Sequence, residues 1–251
     1  MPSPYVRELS IGEILRSSLR LYRQSFLTVT LAYALPNVPG ALVYAYSLSS
    51  QSTPLKVIGL LLLTAGGFIS FTAITLCISD ACAGNAPSLR RSFFRTRAIA
   101  GSLVVVSLLQ MLVFFAGLIL LVIPGLIFIL WYVFSTITVI LEGRIGKAAL
   151  SRSRALGKGF YLRNLAVIIF VLIIVFGILV MGFMVIALVG VGMGAVGASP
   201  AQGGMVGGLM GMLLTFVAYP ILFVSLIVTY YDLRARKEAY DSIALAAELS
   251  R

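Results

Sequence analysis

The stretch Leu165–Val189 reads LAVIIFVLIIVFGILVMGFMVIALV and contains no charged side chain. A helix that crosses a bilayer needs about 20 predominantly apolar residues, within a range of about 17–25. A surface helix of a soluble protein keeps a polar face opposite its apolar stripe, and this stretch has none. Five further runs resemble it: Phe26–Ser47, Leu55–Ser79, Ala98–Ile123, Leu126–Leu141 and Val206–Tyr230. Leu126–Leu141 is slightly short and is expected to borrow Gly125 and Glu142 at its ends. The turn before it, Pro124-Gly125, has no charged neighbour and is expected to sit within the headgroup layer.

The whole chain has the same character. Of 251 residues, 60% are hydrophobic and 11% are charged, against about 25% charged in an average soluble domain. There is no His, which excludes Ser-His-Asp triads and HExxH zinc sites. The two cysteines, Cys77 and Cys82, do not have zinc-ligand spacing and read as reduced and structural. Neither a metal nor a cofactor is expected. Gly192-Met193-Gly194-Ala195-Val196-Gly197 fits the dinucleotide fingerprint, but it follows an apolar run instead of a strand, so it is rejected. The Gly- and Met-rich stretch Gly190–Gly211 reads as a flexible outer loop followed by a packed helix start. Its Gly203/Gly207 and Gly207/Gly211 spacings allow close helix approach.

The net charge of +11 comes from 19 Lys and Arg against 8 Asp and Glu. All the cations but Lys56 fall in 7–23, 90–97, 144–163 and 234–251. Basic loops face the cytoplasm. Six spans therefore predict both termini inside the cell membrane, with the nearly uncharged loops Ser49–Lys56, Pro124-Gly125 and Gly190–Gly208 on the other side. The N-terminus has no signal-peptide cleavage pattern, so the first span is expected to be retained. The fold expected is an all-α integral membrane protein, one polytopic domain over 1–251. Its six transmembrane helices form three hairpins, each preceded by a basic amphipathic interfacial helix (8–25, 87–97 and 145–162). A cytoplasmic tail follows at 233–251.

Two periodicities support the threefold reading. Ser10-Ile11-Gly12-Glu13 forms a capping box for a helix whose Arg16, Arg20 and Arg23 oppose an apolar face. Leu15, Ser18 and Arg23 then recur at the same spacing as Leu89, Ser92 and Arg97, and as Leu150, Ser153 and Lys158. A true repeat and a shared interfacial composition both remain open. Each returning span also ends in an acid: Asp80, Glu142 or Asp232. Expected partners are Arg90 or Arg91 for Asp80, Arg144 or Lys147 for Glu142, and Arg234 or Arg236 for Asp232. These are read as structural ion pairs. Arg16, Arg20, Arg23, Arg90, Arg91, Arg95, Arg97, Arg152, Arg154 and Lys158 are the candidates for lipid headgroup contact.

Several strings together resemble a known family. Leu9-Ser10-Ile11-Gly12-Glu13-Ile14-Leu15 leads to Leu21-Tyr22-Arg23; Ile123-Pro124-Gly125 opens a span ending Leu141-Glu142-Gly143. Ala148-Ala149-Leu150-Ser151-Arg152-Ser153 and Leu156-Gly157-Lys158-Gly159 follow, and the end reads Tyr230-Tyr231-Asp232-Leu233-Arg234-Ala235-Arg236-Lys237-Glu238. This resembles the bacterial and archaeal membrane-domain family named after glycerophosphoryl diester phosphodiesterase. The resemblance implies a lipid-associated multi-span module. It does not bring the hydrolase activity, because these residues include no phosphodiesterase domain and no His. Glu142, Asp232 and Arg234 are the matched positions to test first.

The function expected is a non-enzymatic module that binds or organises anionic lipid. A transporter or channel component, with Asn37 and Gln110 lining a path, is one alternative. A scaffold subunit whose Ile243–Leu249 stretch docks a membrane or cytosolic protein is another. No nucleic-acid partner is expected.

Overall fold

The computed structural model describes residues 5–119, 122–197 and 199–249. Among them are ten α-helices and no strand. Five helical segments are long and apolar enough to cross a membrane: Phe26–Ser47, Thr53–Cys82, Leu89–Val113, Tyr161–Ala195 and Val206–Glu238. A sixth counts only if Ile127–Glu142 and Lys147–Gly157, bent by 116°, are taken together as one span.

Helix α1 (Ile11–Gln24) begins as its sequence dictates. Ser10 accepts from the Glu13 N–H, and Glu13 returns the bond to the Ser10 N–H. Ile14, Ser18, Leu21 and Tyr22 face inward, while Arg16, Arg20 and Arg23 face out. Helix α2 (Phe26–Ser49) packs lengthwise on α3 (Thr53–Cys82). Their backbones nearly touch: a Cβ on Gly66 would stand 2.6 Å from the Pro36 carbonyl, and one on Gly59 2.8 Å from the Tyr44 backbone. Without a hydrophobic force between helices in lipid, such close contact is how they hold together.

The basic residues 87–97 differ from the expected separate helix. They continue into one rod, α4 (Leu89–Ile119), since no Gly or Pro interrupts Arg97 to Ala100. The expected turn at Pro124-Gly125 is helix instead. Both residues lie in the first turn of α5 (Val122–Tyr132), where Pro is tolerated because those N–H groups have no intrahelical partner. Residues 120–121 lie outside the described residues.

The run Leu126–Leu141 is itself broken. α5 ends at Tyr132 and α6 (Ser135–Glu142) restarts after Val133-Phe134. Gly143 closes α6 in the left-handed conformation (φ 66°), and Gly146 (φ 59°) opens α7 (Lys147–Gly157). A β-carbon disfavours such backbone angles, so these two glycines permit the sharp bend. Helix α8 (Tyr161–Ala195) packs along α9 (Pro200–Glu238), with Gly182 facing Leu214 and Gly211 facing Phe183. The expected loop over Gly190–Gly208 is therefore mostly helix. Pro200 and a capping box between Ser199 and Gln202 start α9 directly after a short turn. Residues 233–238 extend α9 past the expected span end, and α10 (Ser242–Leu249) follows.

The core lies where the returning helices α3, α6 and α9 end. Residues 72–80, 135–140 and 227–233 are buried throughout. Many of their hydroxyls bond carbonyls three or four residues back on their own helices, as Thr75 does to Phe71, Ser79 to Thr75 and Thr229 to Ser225, whereas Thr136 donates to Gln110 and Ser135 Oγ has no partner among the described residues. The bonds within a helix satisfy polar groups without solvent. Between helices, the Tyr231 hydroxyl donates to Ser79 Oγ at 2.6 Å, and the Tyr230 and Phe134 rings lie 6.2 Å apart.

Candidate functional site

Asp80, Glu142 and Asp232 stand at or near the C-terminal ends of α3, α6 and α9, each close to arginines. Asp80 on α3 is acted on by Arg91 and Arg95 of α4; the expected partner Arg90 points out to the surface. Glu142 on α6 takes Arg152 of α7 at 2.8 Å, with Arg144 at 2.9 Å and the Tyr230 hydroxyl at 2.6 Å. Lys147, expected there, has no bond to Glu142 among the described residues. Asp232 on α9 closes the circle to the start of the chain, accepting from the Leu9 N–H at 2.7 Å.

Asp232 has no exposed surface and pairs with Arg163 and, at 3.1 Å, with Arg236. Arg163 and Arg236 also donate to the Leu9 carbonyl. Leu9, just before α1, is thereby clamped through both its N–H and its carbonyl. Arg234, the other expected partner, instead pairs with Glu238 at 3.1 Å and Glu248 at 2.7 Å, and lies 3.6 Å above the Tyr240 ring. The i,i+4 spacings Asp232/Arg236 and Arg234/Glu238 were visible in the sequence. Arg163 gave no signal, because its partner lies 69 residues away.

Arg152 is corrected from the headgroup set. It is 16% exposed and bridges Glu142 to Glu238. Arg95 is half-buried. The Lys237 ammonium donates to the Ala155 and Lys158 carbonyls and so neutralises the negative end of α7. The Ile243–Leu249 stretch folds back: Leu245 is buried in the chain's own core, and Glu248 holds Arg234 and the Tyr240 hydroxyl.

Nearer the surface, three further acids are also engaged. Glu8 pairs with Arg236, Glu13 with Arg7, and Asp241 caps α10 through the Ile243 and Ala244 N–H groups. Arg16, Arg20, Arg23, Arg90, Arg97, Lys147, Arg154 and Lys158 are exposed and have no acid partner among the described residues. Arg16, Arg20 and Arg23 line an open groove with Leu19 and Gln24. The three repeat copies agree in burial: Leu15, Leu89 and Leu150 are half-buried, Ser18, Ser92 and Ser153 buried, and Arg23, Arg97 and Lys158 exposed.

The serines are bonded differently. Ser18 Oγ donates to the Ile14 carbonyl, and Ser92 Oγ lies 3.3 Å from Cys77 Sγ. Ser153 Oγ donates to the Trp131 carbonyl and accepts from the Phe134 N–H at the α5–α6 break. Gln110 serves the same break, donating to the Tyr132 carbonyl at 2.8 Å and accepting from Thr136. Asn37 donates to the Tyr33 carbonyl and Ser70 Oγ, tying α2 to α3. Cys77 and Cys82 are buried free thiols. No group of three or more His, Cys, Asp or Glu side chains able to hold a metal ion occurs among the described residues.

No family model, no curated protein and no solved structure matches this chain.

Proposed function

We propose that the chain is a non-enzymatic membrane module that grips and organises anionic lipid at the cytoplasmic leaflet of the cell membrane. In this reading α2/α3, α4/α5–α6 and α8/α9 are three transmembrane hairpins, and both termini are cytoplasmic. The single observation that carries it is the division of charge at the basic end. Every acid but Asp80 is bonded to the chain's own arginine, tyrosine or backbone groups, while eight exposed cations on α1, α4 and around α7 have no acid partner among the described residues. Attraction of such residues to anionic lipid contributes about 1 kcal/mol per residue near the surface. The reading agrees with the lipid-associated module implied by the resemblance described above.

An enzymatic role for Glu142 or Asp232 gains no support from carboxylates held by arginines, a tyrosine and a backbone N–H. Asn37 and Gln110, which motivated a transport path, are engaged in holding helices.

The test is lipid retention. The full chain is reconstituted in nanodiscs of equal phosphatidylcholine and phosphatidylglycerol, re-extracted, and its retained lipid analysed. Phosphatidylglycerol is expected to be enriched. Arg16/Arg20/Arg23→Ala together should reduce the enrichment, as should 1 M salt, where the Debye length is about 3 Å. Retention of both lipids in bulk proportion would count against the proposal.

A further inference from the structure

An open groove of about 190 Å³ lies between α4 and α5, beside the helix break. It is lined by Gln110, Val113, Phe128, Ile129, Tyr132 and Val133. The Gln110 amide is held at one edge by Tyr132 and Thr136, so the rest of the lining is apolar or aromatic. The neighbouring surface of α4 is apolar as well, with Leu108, Met111 and Leu112 exposed.

A cation stands one ring beyond the groove's lining. The Phe128 ring lies 5.5 Å from that of Trp131, and the Arg154 guanidinium sits 3.9 Å above the Trp131 ring. Arg154 is exposed and has no acid partner among the described residues. A guanidinium stacked by its face keeps its N–H edge available, and that fork matches a phosphate. A cationic head followed within two ring widths by an apolar trough, itself set in an apolar surface, fits an amphiphile and not an aqueous anion.

We propose that this is a discrete phospholipid site. Arg154 takes the phosphate of an anionic phospholipid, Trp131 fixes the guanidinium, and the α4–α5 groove holds an acyl chain. The inference rests on the reading that the basic end faces an anionic leaflet. It adds a specific occupant at one place on that end.

Trp131 is the single tryptophan of the chain and reports on the site directly. The full chain is placed in phosphatidylcholine nanodiscs with rising fractions of acyl-brominated phosphatidylglycerol or acyl-brominated phosphatidylcholine, and Trp131 fluorescence is followed. Half-quenching is expected at an about fivefold lower fraction of the anionic bromolipid, the preference one cation supplies near the surface. Arg154→Gln should bring the two curves together, Arg154→Lys should keep part of the preference, and Val113→Phe should weaken quenching by both lipids. Comparing headgroups within one variant cancels any change in the brightness of Trp131 itself. Coincident curves in the unaltered protein, or an undiminished preference in Arg154→Gln, would overturn the site. Loss of bulk anionic enrichment with the Trp131 preference intact defeats the wider reading alone; the reverse defeats this site alone.

Discussion

Asp232 shows what a single buried carboxylate does here. With no exposed surface it must be matched by charge and hydrogen bonds, and Arg163, Arg236 and the Leu9 N–H supply them. Asp232→Asn leaves two arginines facing a neutral amide. Breaking a buried pair in this way costs about 3–5 kcal/mol. Asp241→Asn changes an exposed cap to one of equal quality and should be near neutral. Chemical unfolding of both variants in detergent checks the contrast; similar stabilities would sink the clamp.

Ser153 offers a second residue-scale test. Its hydroxyl serves both sides of the α5–α6 break, so Ser153→Ala leaves the Phe134 N–H unsatisfied, at about 1–3 kcal/mol. Ser18→Ala loses only a bond to a carbonyl on its own helix and should cost less in the same assay. The Leu-Ser-cation pattern was legible in the sequence. The individual tasks of those serines were not, because they depend on backbone groups brought close only by folding.

Among the elements, α1 was the most legible, since its cap and its faces are local. Its pH response follows from the same geometry. Hydrogen bonds from the Ser10 backbone and side chain, with Arg7 beside them, lower the Glu13 pKa from 4.5 to about 2. A carboxylate lowered on folding stabilises fully above its unfolded value, and that support fades as pH falls from about 4.5 through about 2. Amide protection at the start of α1, measured relative to the intrinsic exchange rate, should therefore fall over that window. Glu13→Gln, which keeps an acceptor but cannot titrate, should flatten the response; an unchanged pH profile in that variant would contradict the assignment. The fourth apolar run was the least legible element. Its composition suits one short span, yet it is broken at Val133-Phe134 and bent after Gly143. Those features are stabilised by Gln110 and Ser153, distant in sequence. Likewise the continuity of α4 was missed because basic composition marks where a helix meets charge, not where it ends.

At the scale of the molecule, α3, α6 and α9 carry their acids beside buried segments, and the basic elements α1, α4 and α7 pack against them. The third acid closes on the first element through Leu9. Apolar length and clustered charge made the all-helical, membrane-compatible architecture readable. The closure was not readable, because Arg163 and Leu9 carry no sequence mark of their contact with Asp232. The account's central claim is that these basic elements share one side of a bilayer. The direct measurement is labelling of intact and permeabilised cells with a membrane-impermeant maleimide, using Arg23→Cys, Arg97→Cys, Lys158→Cys and Val196→Cys one at a time. Cys77 and Cys82 are buried and should remain silent. The account predicts that the first three label only after permeabilisation and that Val196→Cys, at the other end of α8, labels without it. Labelling of Arg97→Cys and Lys158→Cys from opposite sides of the membrane would contradict it.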